Sequence, residues 1–174
     1  MSRNLRDILD YVDKHKNEII EFHRNLVKAR SAHPSPDYSG IRSLVSDKMR
    51  EAGLEVTYRG KAQKQNVLGA LQGVQRKPSL LFISHMDTVP LGDASRWKNR
   101  PFGAEQKDGR IYGRGASDNK GPLAMMIMAA KALRELGTKL KGDLVLVADV
   151  DEEIGGGDGL RLLVETGAFN DIDM

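Results

Sequence analysis

The sequence predicts a layered α/β fold. Two short apolar runs, residues 79–83 and 144–148, have the length and composition of buried strands. They alternate with longer segments in which apolar residues recur at helical spacing, which is the pattern of an α/β protein. A chain of 174 residues, 40% of them hydrophobic, is the size of one domain with its own core.

The N-terminal half is predicted to begin with helices. Apolar residues recur at helical spacing over residues 4–30, which predicts one long helix, and Pro34 and Pro36 cannot continue it. A second helix is predicted over residues 39–52, with Gly53 as its C-cap. Short strands are predicted to follow at residues 54–59 and 66–71.

The remaining elements surround the two apolar runs. The first run is followed by long loops over residues 89–117, which contain one short strand near residues 110–112. A helix is predicted over residues 119–136 and is closed by Gly137. The second run leads into three consecutive glycines and then a short helix that ends near Val164, for which Asp158 is the predicted N-cap.

The composition excludes several classes of function and partner. The net charge is only +3 and the basic residues are spread along the chain, so no nucleic-acid partner is expected. The absence of cysteine excludes disulfides and thiolate metal sites, which leaves histidine and carboxylates as metal ligands. No apolar run is long enough to span a bilayer and the N-terminus lacks a signal core, so no membrane partner and a cytoplasmic location are expected.

Ionisable residues follow both apolar runs and precede the helix between them. Five residues belong to this pattern: His85, Asp87, Asp118, Glu152 and Glu153. Ligands of α/β sheets bind outside the carboxyl ends of the strands, so the five residues form a candidate catalytic site. The alternatives are that strands simply end at the surface, that Asp118 is a helix N-cap, and that the two glutamates belong to an acidic loop.

The residue types at these positions suit metal-dependent hydrolysis. A neutral imidazole such as that of His85 is a good zinc ligand, and a nearby carboxylate such as Asp87 typically orients it. Glu152 and Glu153 are adjacent, so on an extended backbone they face opposite ways, and one can bind metal while the other is a general base. Three further histidines have no acidic partner at metal-site spacing and are not assigned: His15, His23 and His33.

Three motifs resemble a known enzyme family. They are residues 84–90 (SHMDTVP), residues 108–121 (DGRIYGRGASDNKG), which follow Trp97 and Pro101-Phe102, and residues 151–155 (DEEIG). In this order they resemble the zinc metallopeptidase and amidohydrolase family that contains acetylornithine deacetylase, succinyl-diaminopimelate desuccinylase, aminoacylase, glutamate carboxypeptidase and carnosinase-like dipeptidases. Residues 119–122 are more similar to the dipeptidase branch. The resemblance implies a three-layer α/β/α catalytic domain with a mostly parallel mixed sheet, incomplete at its C-terminus.

The resemblance also implies a role for each site residue. It implies two Zn²⁺ ions, with Co²⁺ or Mn²⁺ as substitutes, whose ligands here are His85, Asp118 and Glu153, with Asp118 bridging both ions. Glu152 would be the general base that activates the bridging water, and Asp87 would orient His85. The peptide bond between Asp118 and Asn119 is often cis in the family. The implied reaction is hydrolysis of an amide or peptide bond in a dipeptide or an N-acyl amino acid.

The resemblance implies further parts that residues 1–174 do not contain. These residues would be the N-terminal portion of a di-zinc hydrolase catalytic domain, without an acidic ligand, a distal histidine and the lid domain through which the full-length protein forms a homodimer. The chain alone is therefore expected to bind zinc weakly and to be inactive, and an exposed sheet edge is expected to favour pairing between copies. The alternative function is a non-catalytic binding or regulatory remnant of the same fold.

Overall fold

A computed structural model describes residues 3–35 and 37–174 of the chain. The helices are α1 Arg3–Lys14, α2 Lys16–Lys28, α3 Ser39–Glu51, α4 Lys120–Glu135 and α5 Leu160–Glu165. The strands are β1 Glu55–Lys61, β2 Lys64–Leu71, β3 Arg76–His85, β4 Glu105–Lys107, β5 Arg110–Tyr112 and β6 Gly142–Asp149. Single turns of 3₁₀ helix lie at Ala94–Arg96 and Glu152–Ile154. Among the described residues, no helix combines the length and apolar character that a membrane span requires.

The main sheet has four strands in the order β1-β2-β6-β3, and β4 and β5 form a separate hairpin. The predicted α/β class and the mixed sheet are confirmed, but the sheet is not mostly parallel. Only β3 and β6 pair in parallel, whereas β1–β2 and β2–β6 are antiparallel. The physical reason for the first antiparallel pair is the two-residue connection between β1 and β2, since a parallel pair needs a much longer crossover.

The predicted helix over residues 4–30 is two helices, which meet at His15. The His15 backbone leaves helical geometry, with φ −101° and ψ 11°. Its ring stacks on Tyr11, with 3.9 Å between ring centroids, and its Nδ1 lies 2.8 Å from the Tyr11 carbonyl oxygen. The apolar periodicity continues across this break, so the pattern alone did not reveal it.

The last helix also begins differently from its prediction. The N-cap of α5 is Gly159, and no side chain caps the helix. Asp158 instead accepts a hydrogen bond from Lys61 on β1, at 3.0 Å between Nζ and Oδ1. The short helix after the glycines is therefore confirmed, whereas its predicted cap is wrong.

The core lies between the sheet and the helices α2, α3 and α4. Helix α3 packs on β1 and β2, and α4 packs on β3 and β6. Strand β6 lies between β2 and β3. Its consecutive residues Leu146 and Val147 point to opposite faces of the sheet and are both fully buried, which explains why the strand is apolar on both faces. The principal fully buried side chains contributed by the helices are Leu26, Ile41, Val45, Met49, Leu123 and Ile127.

Strand β3 forms one edge of the sheet. Met174 makes two backbone hydrogen bonds there, donating to the Ser79 carbonyl at 3.1 Å and accepting from the Leu81 amide at 2.7 Å. Beyond them, Phe82 is 49% exposed. It lines an apolar groove of about 610 Å³ between α4 and β3, together with Leu80, Met125, Leu133 and Met174 among others. The candidate site residues do not line this groove.

Candidate metal centre

The candidate residues meet at the carboxyl end of the parallel β3–β6 pair. His85 is the last residue of β3 and is the register partner of Asp149, the last residue of β6. The two strands run side by side in one direction, so the segments that follow them emerge at the same edge of the sheet. This common edge explains why residues far apart in the chain converge on one place.

The ring of His85 lies between Asp87 on one side and Asp118 and Glu152 on the other. Its Nδ1 is 3.1 Å from the Asp87 carbonyl oxygen and 3.4 Å from the Asp87 Oδ1 atom. Its Nε2 is 3.2 Å from Oδ1 of Asp118 and 3.7 Å from Oε2 of Glu152. With Nδ1 held by Asp87, the Nε2 atom is directed at the other carboxylates and is the atom free to bind a metal.

The charge around His85 favours its protonated form when no metal competes. Burial opposes a charge on the ring, but the hydrogen bond and the negative charge of Asp87 outweigh it and raise the pKa of His85 to about 9. The same field that attracts a proton attracts a cation. A metal ion that bound His85 at neutral pH would have to displace this proton.

Asp87 contacts several partners from a fully buried position. Its Oδ2 lies 2.7 Å from Nε2 of His33, and its two oxygens accept hydrogen bonds from the backbone amides of Glu152 and Glu153 at 3.3 and 3.1 Å. Burial alone would raise the pKa of Asp87, but its bonds to His85 and His33 outweigh burial and lower it. Asp87 is therefore held as a carboxylate.

Glu152 and Glu153 lie on a turn and not on an extended backbone, so the prediction that they face opposite ways is wrong. Asp151 adopts a left-handed conformation with φ 62°, and Glu152–Ile154 form a turn of 3₁₀ helix. This turn brings both carboxylates to the same side. One nitrogen of His85 and one oxygen from each glutamate lie within 4.8 Å of one another, which is compact enough for a single cation.

Asp118 is not the helix cap that the alternative interpretation required. Helix α4 has Asn119 as its N-cap, without a side-chain capping bond. The Asp118 side chain is 80% exposed and makes its contact with His85. The peptide bond between Asp118 and Asn119 is cis, as the resemblance implied. The exposed carboxylate at this position is accessible to a ligand on the open side of the site.

Two buried titratable groups near the site were not singled out in the sequence. Burial raises the pKa of Asp149 to about 7, and the negative charge of Asp87 adds to the shift. Burial lowers the pKa of Lys120 to about 7, although Asp87 opposes the shift. The Lys120 Nζ donates to the Ala29 carbonyl at 2.7 Å, which ties the start of α4 to the end of α2. His33 was also missed, because its partner Asp87 is distant in sequence.

The chain matches a protein-family model and is similar to a curated protein and to solved structures. The family model of peptidase family M20/M25/M40 matches residues 81–174. Over 162 residues the chain is 32% identical to the N-formyl-4-amino-5-aminomethyl-2-methylpyrimidine deformylase of Bacillus subtilis, covering 89% of this chain and 37% of that protein. Among solved structures, human carnosine dipeptidase 1 superposes with a TM-score of 0.81 at 26% identity, covering 97% of this chain and 40% of the other.

A second solved structure shows the same similarity. An M20 family metallo-carboxypeptidase from Sulfolobus solfataricus superposes with a TM-score of 0.74 at 28% identity, covering 91% of this chain and 35% of that one. The chain thus spans less than half the length of each of these three proteins.

Proposed function

Because this chain belongs to peptidase family M20/M25/M40, we propose that it supplies part of the active site of a metal-dependent hydrolase acting on amide or peptide bonds. One observation carries the proposal: a nitrogen of His85 and oxygens of Glu152 and Glu153 converge within 4.8 Å at the carboxyl edge of the sheet. The similar proteins are named as a deformylase, a dipeptidase and a carboxypeptidase. Their names support a small substrate, either a dipeptide or an N-acyl or N-formyl compound.

The metal ligands that we propose are His85, Asp118 and Glu153. One imidazole and two carboxylates suit zinc, and cobalt or manganese accept the same donor atoms. Asp118 has two oxygens on an exposed side chain next to His85, so it is the residue suited to be shared by two ions. Such ions supply Lewis acidity, which polarises the scissile carbonyl group and lowers the pKa of water.

Glu152 is the general base in this proposal. Its carboxylate is 57% exposed and lies 3.7 Å from His85 Nε2, so it borders both the metal ligands and solvent. From there it accepts a proton from the attacking water and delivers it to the leaving amine. Asp87 contributes by holding His85 Nδ1, and its bonds to the amides of Glu152 and Glu153 hold the turn that carries both glutamates.

The 174-residue chain by itself offers three proposed ligands for two ions. A catalytic zinc ion normally has three protein ligands of its own. We therefore propose that this chain binds zinc weakly and turns over little substrate, and that a longer form of the protein supplies the remaining ligands. A lid domain in such a form is also the proposed contact between the two subunits of a homodimer.

Metal titration tests the site directly. Calorimetry with Zn²⁺ on the 174-residue chain is expected to show weak binding that His85→Ala abolishes, whereas the matched variant His15→Ala leaves it unchanged. Tight binding of two ions to this chain would contradict the proposed shortage of ligands. Binding that is indifferent to His85→Ala would contradict the site itself.

The second candidate function is a non-catalytic binding or regulatory module with the same fold. The convergence of His85 with both glutamates favours it, because a cation held by Glu152 as well as Glu153 would leave Glu152 unavailable as a base. Hydrolysis assays separate the two, using a panel of dipeptides and N-acyl and N-formyl amines with Zn²⁺ or Co²⁺ on the longest form of the protein that its gene encodes. Turnover supports the enzyme, and metal binding without turnover on the whole panel supports the binding module.

A further inference from the structure

His33 is a buried histidine outside all three sequence motifs and outside the proposed ligand set. It lies between α2 and α3, and its residue is 8% exposed. Its Nε2 is 2.7 Å from Oδ2 of Asp87, which is itself completely buried. Burying either of these ionisable groups without a partner would cost free energy. The short contact compensates for the burial of both side chains.

The backbone holds His33 in this position. Residues 31–33 run beside residues 86–88, and Ala32 and Thr88 form a parallel bridge. The Thr88 amide donates to the Ser31 carbonyl at 3.0 Å, and the His33 amide donates to the Thr88 carbonyl at 2.9 Å. The segment that carries His33 is thus held along the segment that carries Asp87, so the His33 backbone stays within reach of the Asp87 carboxylate.

The two oxygens of Asp87 have different partners. Oδ1 faces Nδ1 of His85 at 3.4 Å, whereas Oδ2 faces Nε2 of His33 at 2.7 Å. Rotation of the carboxylate about its terminal bond would disturb both contacts together. The backbone amides of Glu152 and Glu153 bind the same two oxygens, so the orientation of Asp87 also sets the position of the turn that carries the two glutamates.

Tyr38 completes the surroundings of His33. It is fully buried, and its hydroxyl lies 3.3 Å from the His33 ring nitrogens. The two rings meet edge to face, with 6.1 Å between their centroids. The hydroxyl and the Asp87 carboxylate therefore both contact the His33 ring and restrict its movement.

We propose that His33 is a positioning residue of the metal site: by donating from Nε2 to Oδ2 of Asp87, it fixes the carboxylate that holds both His85 and the Glu152–Glu153 turn. This inference rests on the proposed function, because it concerns the same metal site. In this role His33 binds neither substrate nor metal itself. Through its contact with Asp87, His33 affects how tightly the ligands bind the metal and the geometry in which they bind it.

The test compares two polar replacements that differ by one methylene group. The side-chain amide of His33→Gln reaches the place of Nε2 and donates to Asp87, whereas that of His33→Asn is too short. Co²⁺ titration of the 174-residue chain is followed by calorimetry and by the visible absorption of the bound ion. We expect His33→Asn to lower Co²⁺ affinity about 10- to 100-fold and to alter the absorption bands, and His33→Gln to restore both.

Controls separate this role from a merely structural one. Thermal unfolding of each variant reports stability, and His15→Asn is the matched control because His15 contacts Tyr11 and not Asp87. Equal Co²⁺ affinity and equal spectra for His33→Asn and His33→Gln would overturn the inference, whatever their stability. If His85→Ala does not weaken Co²⁺ binding, the proposed function itself fails and the inference falls with it.

Discussion

The Nε2 atom of His85 and the Oδ1 atom of Asp118 lie 3.2 Å apart. The contact joins the carboxyl end of β3 to the residue before the N-cap of α4. Both residues belong to the proposed ligand set. They are 33 positions apart in the chain, so the fold brings them together. The first prediction concerns the exposed member of the pair, because its side chain can be changed without disturbing the core.

Asp118→Asn is expected to weaken Co²⁺ binding to the chain. The substitution keeps the shape of the side chain but removes the negative charge that attracts a cation, and an amide oxygen is a poorer ligand. The loss should be at least as large as the ~10–100-fold cost of changing a residue that only orients a ligand. Asp171→Asn, at another exposed position, is the matched control. Equal affinities in the two variants, measured by calorimetry, would remove Asp118 from the ligand set.

Glu152→Gln is expected to abolish most turnover in the longest form of the protein while the metal remains bound. Loss of a general base typically costs about 10²- to 10⁴-fold in rate. Steady-state hydrolysis of a dipeptide and metal content measured on the same sample provide the two readouts, with Glu165→Gln as control. Turnover equal to that of the parent protein would show that Glu152 is not the base.

The Glu51 carboxylate is expected to contribute to stability above pH 4.5 and to lose that contribution in acid. Hydrogen bonds from Lys131 and then Lys48 lower its pKa from 4.5 to about 2. Between these values the unfolded chain takes up a proton that the folded chain does not, so stability falls as the pH decreases from 4.5 to 2. Denaturant unfolding from pH 7 to pH 2 should show a smaller loss for Glu51→Gln than for the parent. Parallel curves for the two proteins would contradict this origin of the acid sensitivity.

Phe82→Lys is expected to reduce self-association of the 174-residue chain. Phe82 is 49% exposed on the outer strand, and charged residues at sheet edges oppose pairing between copies. Sedimentation velocity over a range of concentrations measures the effect. Val74→Lys adds the same charge at a 77% exposed position outside the apolar groove. An equal reduction in both variants would assign the effect to net charge and not to the edge.

Much of the fold could be predicted from local sequence patterns. Strands β3 and β6 and helix α4 follow from apolar runs and helical periodicity. The predicted burial holds for β6 and α4 but is wrong for the apolar run of β3, where Leu80, Phe82 and Ile83 are 39%, 49% and 41% exposed. The break at His15 could not be predicted in this way, because the apolar pattern continues through it. At the break the His15 ring contacts Tyr11 in the preceding turn, and a contact between two particular side chains leaves no mark on the apolar periodicity.

The sequence predicted most of the residues that lie together at the candidate site, but not their geometry. The motifs led to His85, Asp118 and the two glutamates, whose roles remain predictions. The left-handed conformation of Asp151, which turns both glutamates to one side, could not be predicted, because aspartate adopts it more often than most residues but still only in a small minority of positions. His33 could not be found because its partner lies across a bridge between two segments remote in the chain.

The parallel pairing of β3 with β6 has a consequence for how the chain folds. The β1–β2 hairpin and the helices form from neighbouring residues, whereas β3 and β6 pair only after the long intervening stretch with α4 has been brought into place. Closing such a loop is slow because its entropy is lost before the pairing compensates for it. The proposed ligands His85 and Glu153 lie at or just after the ends of these two strands and would come together when the strands pair, so we expect added zinc to leave the refolding rate unchanged and to slow unfolding.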